Sequence, residues 1–157
     1  MRRKIASLET SNYKYYNLIN IKSKYLISVV GPTAIGKTAL SIKLAQYFNT
    51  EILSADSRQF FREMQIGTAA PTANELADTK HHFIHHKSIA DSYSVGDFEK
   101  DALKCLNTLF KSHDIVILVG GSGLYVDAVT KGLDHFPTVD SQIRETLNEE
   151  LKTKGLA

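Results

Sequence analysis

Apolar and polar positions in this 157-residue chain change period several times, and each change marks an element. Tyr25-Leu26-Ile27-Ser28-Val29-Val30 is an apolar run of the length of a buried strand. Gly31 and Gly36 break it, and Lys37 to Phe48 then follows a helical period, with Leu40, Leu44 and Phe48 on the expected inner face. Glu51-Ile52-Leu53-Ser54 predicts a second short strand. Polar groups crowd into Ala55-Asp56-Ser57-Arg58-Gln59-Phe60, and a loop is expected from Arg62 to Pro71, with Gly67 and Pro71 as breakers. Thr72 to Asp78 predicts a short helix, and His82-Phe83-Ile84 a brief strand. Ser94-Val95-Gly96-Asp97 has capping-box spacing ahead of a helix expected over 97–112. Asp114-Ile115-Val116-Ile117-Leu118-Val119 is the clearest buried strand. It ends at Gly120-Gly121-Ser122-Gly123, which leads into a helix over about 124–131. Beyond Gly132 and Pro137, Asp140 is placed to cap a polar helix that reaches about Lys152 and closes at Gly155.

Short apolar strands alternating with helices predict βαβ units, hence an α/β fold with a parallel sheet and right-handed crossovers. In such sheets ligands bind beyond the carboxyl ends of the strands. That rule brings three segments to one rim: the glycine loop after the first strand, Asp56 to Gln59 after the second, and Gly120 to Gly123 after the last.

The first of these segments carries recognisable chemistry. Gly31-Pro32-Thr33-Ala34-Ile35-Gly36-Lys37-Thr38 has the spacing G-x-x-x-x-G-K-[ST] between a predicted strand and a predicted helix. Its glycines let the backbone curl so that successive N–H groups converge on an anion, and the helix N-terminus adds to that field. Lys37 contributes a point charge, and the Thr38 hydroxyl is suited to Mg²⁺ on a phosphate oxygen. This is a phosphate-binding P-loop, and with the flanking pattern it predicts a P-loop NTPase-like, three-layer fold.

Composition sets the limits. Apolar residues are 43%, charged residues 23%, and the formal net charge is +2, so the chain as a whole does not demand a polyanionic partner. The single cysteine, Cys105, excludes an intrachain disulfide framework and fits a reducing cytosol. It shares an amphipathic segment with Phe98, Ala102 and Leu109, which reads as a core thiol. No apolar run approaches the ~18 residues of a membrane span, and a soluble, cytoplasmic chain is expected. Residues 1–23 are basic, carry Tyr13, Tyr15 and Tyr16, and hold one acid, Glu9; a disordered extension is expected there.

Individual side chains admit two readings each. Asp56 is a turn carboxylate capping the next segment, or a carboxylate facing the P-loop ligand, where it can hold Mg²⁺ through water or take a proton from a nucleophile. Arg58 pairs with Asp56, binds phosphate, or is a surface arginine. Gln59 is a turn residue or a reader of a base edge. His81-His82 and His85-His86 invite a metal reading, but strand-like alternation splits them across two faces, and packing histidines are the default expectation.

A set of motifs in fixed order then carries a resemblance. The P-loop, Ser54-Ala55-Asp56-Ser57-Arg58-Gln59, Ile66-Gly67-Thr68-Ala69, His81-His82-Phe83-Ile84, Tyr93-Ser94-Val95 with Asp97-Phe98, and Leu118-Val119-Gly120-Gly121-Ser122-Gly123-Leu124-Tyr125 together resemble the tRNA dimethylallyltransferases (tRNA isopentenyltransferases) over about residues 24–157. Ser122 stands where threonine is expected, and Ala70 where lysine is common. The family continues with further strands, an active-site arginine and tRNA-gripping elements, so the resemblance implies an N-terminal portion truncated before the remaining strands. Residues 24–133 would form the P-loop core and 134–157 the start of an inserted helical domain. The implied reaction moves a dimethylallyl group from its diphosphate to N6 of adenosine 37, in the tRNA anticodon arm. The P-loop would hold the leaving diphosphate, with Lys37 and Mg²⁺ at Thr38. Asp56 matches the general base, and Asp56, Ser57, Arg58, Gln59, Ser122 and Arg144 would contact tRNA.

Other classes share parts of this pattern. An adenine-nucleotide isopentenyltransferase has a similar core, and a small-molecule kinase using ATP shares the loop but needs lid arginines that are not evident. A non-catalytic diphosphate- or RNA-binding remnant is the third alternative. The 157 residues alone are expected to be inactive.

Overall fold

The computed structural model describes residues 23–134 and 140–155. Strand β1 (Tyr25–Val30) leads through the glycine loop into helix α1 (Lys37–Phe48), followed by β2 (Ile52–Ser54) and a single 3₁₀ turn, Ser57–Phe60. Helix α2 (Ala73–Asp78), strand β3 (His81–His82), helix α3 (Val95–Leu109), strand β4 (Ile115–Gly120), helix α4 (Gly123–Thr130) and helix α5 (Ser141–Lys154) complete the described residues. The sheet order is β1-β4-β2-β3, and every neighbouring pair is parallel.

Alternation along the strands builds three layers. Leu53, Val116 and Leu118 face one side, where Phe60, Phe98, Ala102, Leu106, Leu109, Val126 and Val129 cover them. Ile52, Ile117 and Val119 face the other, against Ile42 and Ala45 of α1. Each fully buried side chain of this size contributes about 1.5–3 kcal/mol by leaving water. Phe60 anchors the first face: it stacks on Phe98 at a centroid distance of 5.0 Å and meets Tyr93, Tyr125 and His86 edge-on. The expected caps form: Ser94 and Asp97 cap each other's backbone at α3, and Asp140 caps α5. At α2 a capping box that was not foreseen joins Thr72 and Glu75.

Three expectations shift, and one element is new. On α1, Leu44 and Phe48 pack half-buried against the core as expected, but Leu40 is 51% exposed and the fully buried positions are Ser41, Ile42 and Ala45, because the helix meets the sheet about one residue round from the expected face. β3 is His81–His82 and does not reach Ile84: Phe83 (φ 66°) and His85 (φ 49°) take left-handed conformations that no strand accommodates. Helix α3 starts at Val95 and stops at Leu109, three residues short of Ser112, where Ser112 and His113 N–H groups close a turn onto the Leu109 carbonyl. The 3₁₀ turn at Ser57–Phe60 was not foreseen. The predicted extension, residues 1–23, lies outside the described residues except for Ser23, as does Pro137. Cys105 is free, half-buried and packed against the core, and burial pushes its thiol pKa up.

Two predictions follow from packing. A Cβ on Gly120 would lie 2.5 Å from the Ala55 carbonyl oxygen, where β4 and β2 run closest. Gly120→Ala is expected to lower stability by about 1–3 kcal/mol in urea denaturation; an unchanged midpoint would show that the two backbones separate freely. His86 packs among Phe60, Phe83 and Tyr93 with both ring nitrogens buried and unpartnered. Burial pushes its pKa down, Lys87 adds to that, and Asp101 opposes it. The unfolded chain therefore binds this proton more readily than the folded one. The contribution is complete above the unfolded histidine pKa of about 6.5 and declines as pH falls toward the lower folded value. His86→Phe should reduce the stability lost between pH 7 and pH 5; an identical loss would contradict a neutral buried ring.

Candidate active site

The glycine loop has the conformation its spacing implies. Gly36 sits at the α1 N-terminus with φ 92° and offers no side-chain cap, and the first turn of α1 holds no acid. Helices α2, α3 and α5 are by contrast capped by their own Thr72, Ser94 and Asp140. The leading amides of α1 thus remain directed at the loop, where an anion would satisfy them. Lys37 Nζ donates to the Pro32 carbonyl at 2.7 Å and bridges the loop. β4 ends close by: a Cβ on Gly121 would lie 3.7 Å from the Gly31 carbonyl oxygen and 3.9 Å from Lys37 Nζ.

Across from the loop stands Asp56. Its carboxylate accepts from the Arg58 N–H at 3.2 Å, capping the 3₁₀ turn, and its side chain, 17% exposed, lines the cleft. Arg58 Nε lies 4.0 Å from Asp56 Oδ1 with the guanidinium largely in solvent, a weak pair. The Ser57 N–H points to Ser122 Oγ at 3.5 Å, linking the loops after β2 and β4. Gln59 is a brace. Its Oε1 accepts from the Ser54 hydroxyl at 3.1 Å, and its Nε2 donates to the Thr68 and Ala69 carbonyls at 3.1 and 3.0 Å. That amide holds the loop with left-handed Gly67 and Ala69 against the end of β2.

These groups enclose a cleft of about 290 Å³. Thr33, Lys37 and Thr38 line it from the P-loop, Asp56 and Gln59 from the loop after β2, and Gly120 and Gly121 from the end of β4. All three rim segments therefore meet as the parallel order requires. Ser57, Arg58 and Ser122 border it without lining it, and Ile35 is 66% exposed. Arg144 lies on α5, exposed and not among the lining residues.

Sequence reasoning missed one wall. Thr68, Ala69, Pro71, Glu75 and His81 close the cleft on the β3 side. No local sequence signal marks it; the register does, since His81 pairs with Ile52 and so shares a face with Ser54 two residues on. The neighbouring His82 faces the other way, 2.5 Å from Glu51, which also pairs with Lys80 at 3.1 Å. Burial raises the Glu51 pKa, but the bonds from His82 and Lys80 outweigh it and hold the carboxylate low. Among the described residues no group of three or more His, Cys, Asp or Glu is placed to hold a metal ion.

Fold and cleft together define an α/β protein of P-loop type. Residues 59–157 match the family model described as IPP transferase, and the chain belongs to that family. Relatives named tRNA dimethylallyltransferase include those of Christiangramia forsetii, 63% identical over 85% of this chain and 44% of the relative, and Flavobacterium johnsoniae, 59% identical over 85% and 43%. Among solved structures, the full-length tRNA isopentenylpyrophosphate transferase of Bacillus halodurans superposes with a TM-score of 0.69 at 38% identity, covering 83% of this chain and 44% of that one. A eukaryotic dimethylallyltransferase acting on tRNA gives 0.69 at 26% identity, over 83% and 36%. The chain spans less than half the length of each of these relatives.

If the loop amides and Lys37 form the anion site, Lys37→Ala should weaken pyrophosphate binding by about tenfold or more, since one charge-assisted contact contributes about 1.5–3 kcal/mol. Calorimetry reads this directly, and an unchanged affinity would place the anion elsewhere.

Proposed function

We propose that the protein to which this chain belongs transfers a dimethylallyl group from dimethylallyl diphosphate to N6 of adenosine 37 in the tRNA anticodon arm. The observation that supports this most is the placement of the Asp56 carboxylate, directly after β2, in the same cleft as an uncapped P-loop. Relatives at 63% and 59% identity carry the corresponding name.

The residues divide the work by charge. The amides of residues 33–38 and Lys37 bind the diphosphate and stabilise the negative charge that grows on it as the allylic C–O bond breaks. Thr38 and Asp56 both line the cleft and offer only oxygen, the donor type that Mg²⁺ prefers; Thr38 would hold the ion, and Asp56 through water. Bound there, Mg²⁺ would supply further neutralisation of the leaving diphosphate. The adenine amine is a poor nucleophile whose proton becomes acidic only as the new C–N bond forms. Asp56 takes that proton then, acting late as a general base. The target base must leave its stack to enter the cleft.

On the same reading Ser57, Arg58, Ser122 and Arg144 contact tRNA, while Gln59, committed to the 68–69 carbonyls, shapes the wall beside the base. Residues 24–133 are the catalytic core and 134–157 the beginning of a helical insertion. β1 pairs with β4 alone among the described strands, so its outer edge is open to the further strands implied by the resemblance. The chain by itself would bind diphosphate without turnover. A reducing cytosol fits the lone Cys105 thiol, and no helix of the described residues is long and apolar enough to cross a membrane.

In the enzyme at the length of its relatives, Asp56→Asn should cut prenyl transfer to tRNA by about 10²–10⁴-fold, the range for a lost general base, and leave diphosphate affinity within about twofold. Transfer assays with labelled dimethylallyl diphosphate, run in parallel on tRNA and free AMP, measure this. Equal turnover in the variant removes Asp56 from its role, and preference for AMP removes tRNA as the acceptor.

A further inference from the structure

The reaction scheme leaves one wall of the cleft unused, and that wall carries a histidine. His81 opens β3 and borders the same cleft as Lys37, Thr38 and Asp56. Its Nδ1 lies 2.8 Å from the Thr79 carbonyl oxygen, which can only accept. The Nδ1 therefore bears the proton, and the lone pair of the neutral ring is on Nε2. That Nε2 is shielded from water and has no hydrogen-bond partner, and neither has the Thr79 hydroxyl two residues before it. An unpaired buried acceptor is costly, and His81 Nε2, on a residue that lines the cleft, points to a role in the occupied state.

The charges around the ring are few and identifiable. Helix α2 presents Glu75, and β3 itself presents His82; the flanking Lys80 is engaged with Glu51 at 3.1 Å. Across the cleft stand Lys37 from α1 and Asp56 from the turn after β2. Burial pushes the His81 pKa down, with the Thr79 carbonyl and Glu75 opposing and His82 assisting. In the ligand-free cleft the ring is neutral at pH 7. A diphosphate brought to the P-loop adds negative charge to the cleft that His81 lines, which favours the charged form of the ring.

We propose that His81 is the protonatable member of the anion site: Nε2 is unprotonated while the cleft is empty and takes up one proton from solvent when a diphosphate enters. This rests on the diphosphate reading above and adds a residue to that same site. The proton adds to the Nε2 lone pair, giving an imidazolium that keeps its Nδ1–H bond to Thr79, and it returns to solvent when the diphosphate leaves. The added charge favours the state in which the allylic bond has broken and the leaving group is most negative. His81 acts by positioning charge and touches no reacting atom.

The test is pyrophosphate binding with Mg²⁺, followed by calorimetry at pH 6 and pH 8 in buffers of different ionisation enthalpy, for the protein and for His81→Gln. Pyrophosphate's own titration is common to both and cancels in the ratio of their dissociation constants. Each unit by which an anion raises a pKa is a tenfold gain in affinity at low pH. The ratio of variant to unmodified Kd should therefore grow by about threefold or more from pH 8 to pH 6, and the unmodified protein should take up more protons on binding. A uniform weakening at both pH values, with equal proton uptake, would reduce His81 to a structural wall and overturn the inference alone. If the unmodified protein binds no pyrophosphate at either pH, the diphosphate reading fails and this inference with it. Should the variant not fold, ¹⁵N NMR of the His81 ring decides: its midpoint should move up when pyrophosphate is added, and an unmoved midpoint contradicts the proposal.

Discussion

Three loops share a cleft here because β4 pairs in parallel with β1 on one side and with β2 on the other. Val30 stands opposite Gly120, and Ser54 opposite Val119, so all three strands release their chains at one level. Everything chemical depends on that register. A slip of one residue would turn Ile117 and Leu118 to the wrong layers and carry Gly120 away from the P-loop. Gly120 and Gly121 have no Cβ where the closest approaches occur, against Ala55 and against Gly31 with Lys37. The pairing, the packing on both faces and the proximity of Asp56 to the anion loop are consequences of one arrangement.

Much of this was legible because its causes are local. Strand runs such as Ile115 to Val119, the reciprocal cap at Ser94 with Asp97, and the P-loop spacing each encode their geometry within a few residues. The parallel order then placed Asp56 and Gly120 at the P-loop without further information. What stayed hidden depends on contacts made at a distance. Which face of α1 is buried is decided by Ile52 and Ile117 beneath it, and period alone selected Leu40 in place of Ile42. The left-handed turns at Phe83 and His85 follow from hydrogen bonds to the 59–60 segment, where the His85 and Lys87 N–H groups bond Gln59 and Phe60 carbonyls. The β3 wall of the cleft was missed for the same reason: His81 reaches it through its pairing with Ile52, 29 positions earlier in the chain.

Several polar groups prove to serve two ends at once. Asp56 caps the turn that follows it and still faces the cleft. Gln59 was open to reading as a base reader or a turn residue, and the structure uses its whole amide to fix the 62–71 loop beside the anion site. Lys37 rests on the Pro32 carbonyl, a contact that an incoming phosphate would replace. The cleft is thus held in shape by bonds among its own walls, which leaves the loop amides, Lys37, the Thr33 and Thr38 hydroxyls, Asp56 and His81 to meet a ligand. Preorganisation of that kind is what stabilisation of a leaving anion requires.

The most direct measurement is a crystal structure of the protein with a non-hydrolysable dimethylallyl diphosphate analogue and Mg²⁺. The account predicts the diphosphate within the curl of residues 33–38, Lys37 Nζ moved from the Pro32 carbonyl to a phosphate oxygen, and the Asp56 carboxylate facing the allylic carbon. An analogue bound away from that loop, or an Asp56 side chain turned out of the cleft, would contradict it.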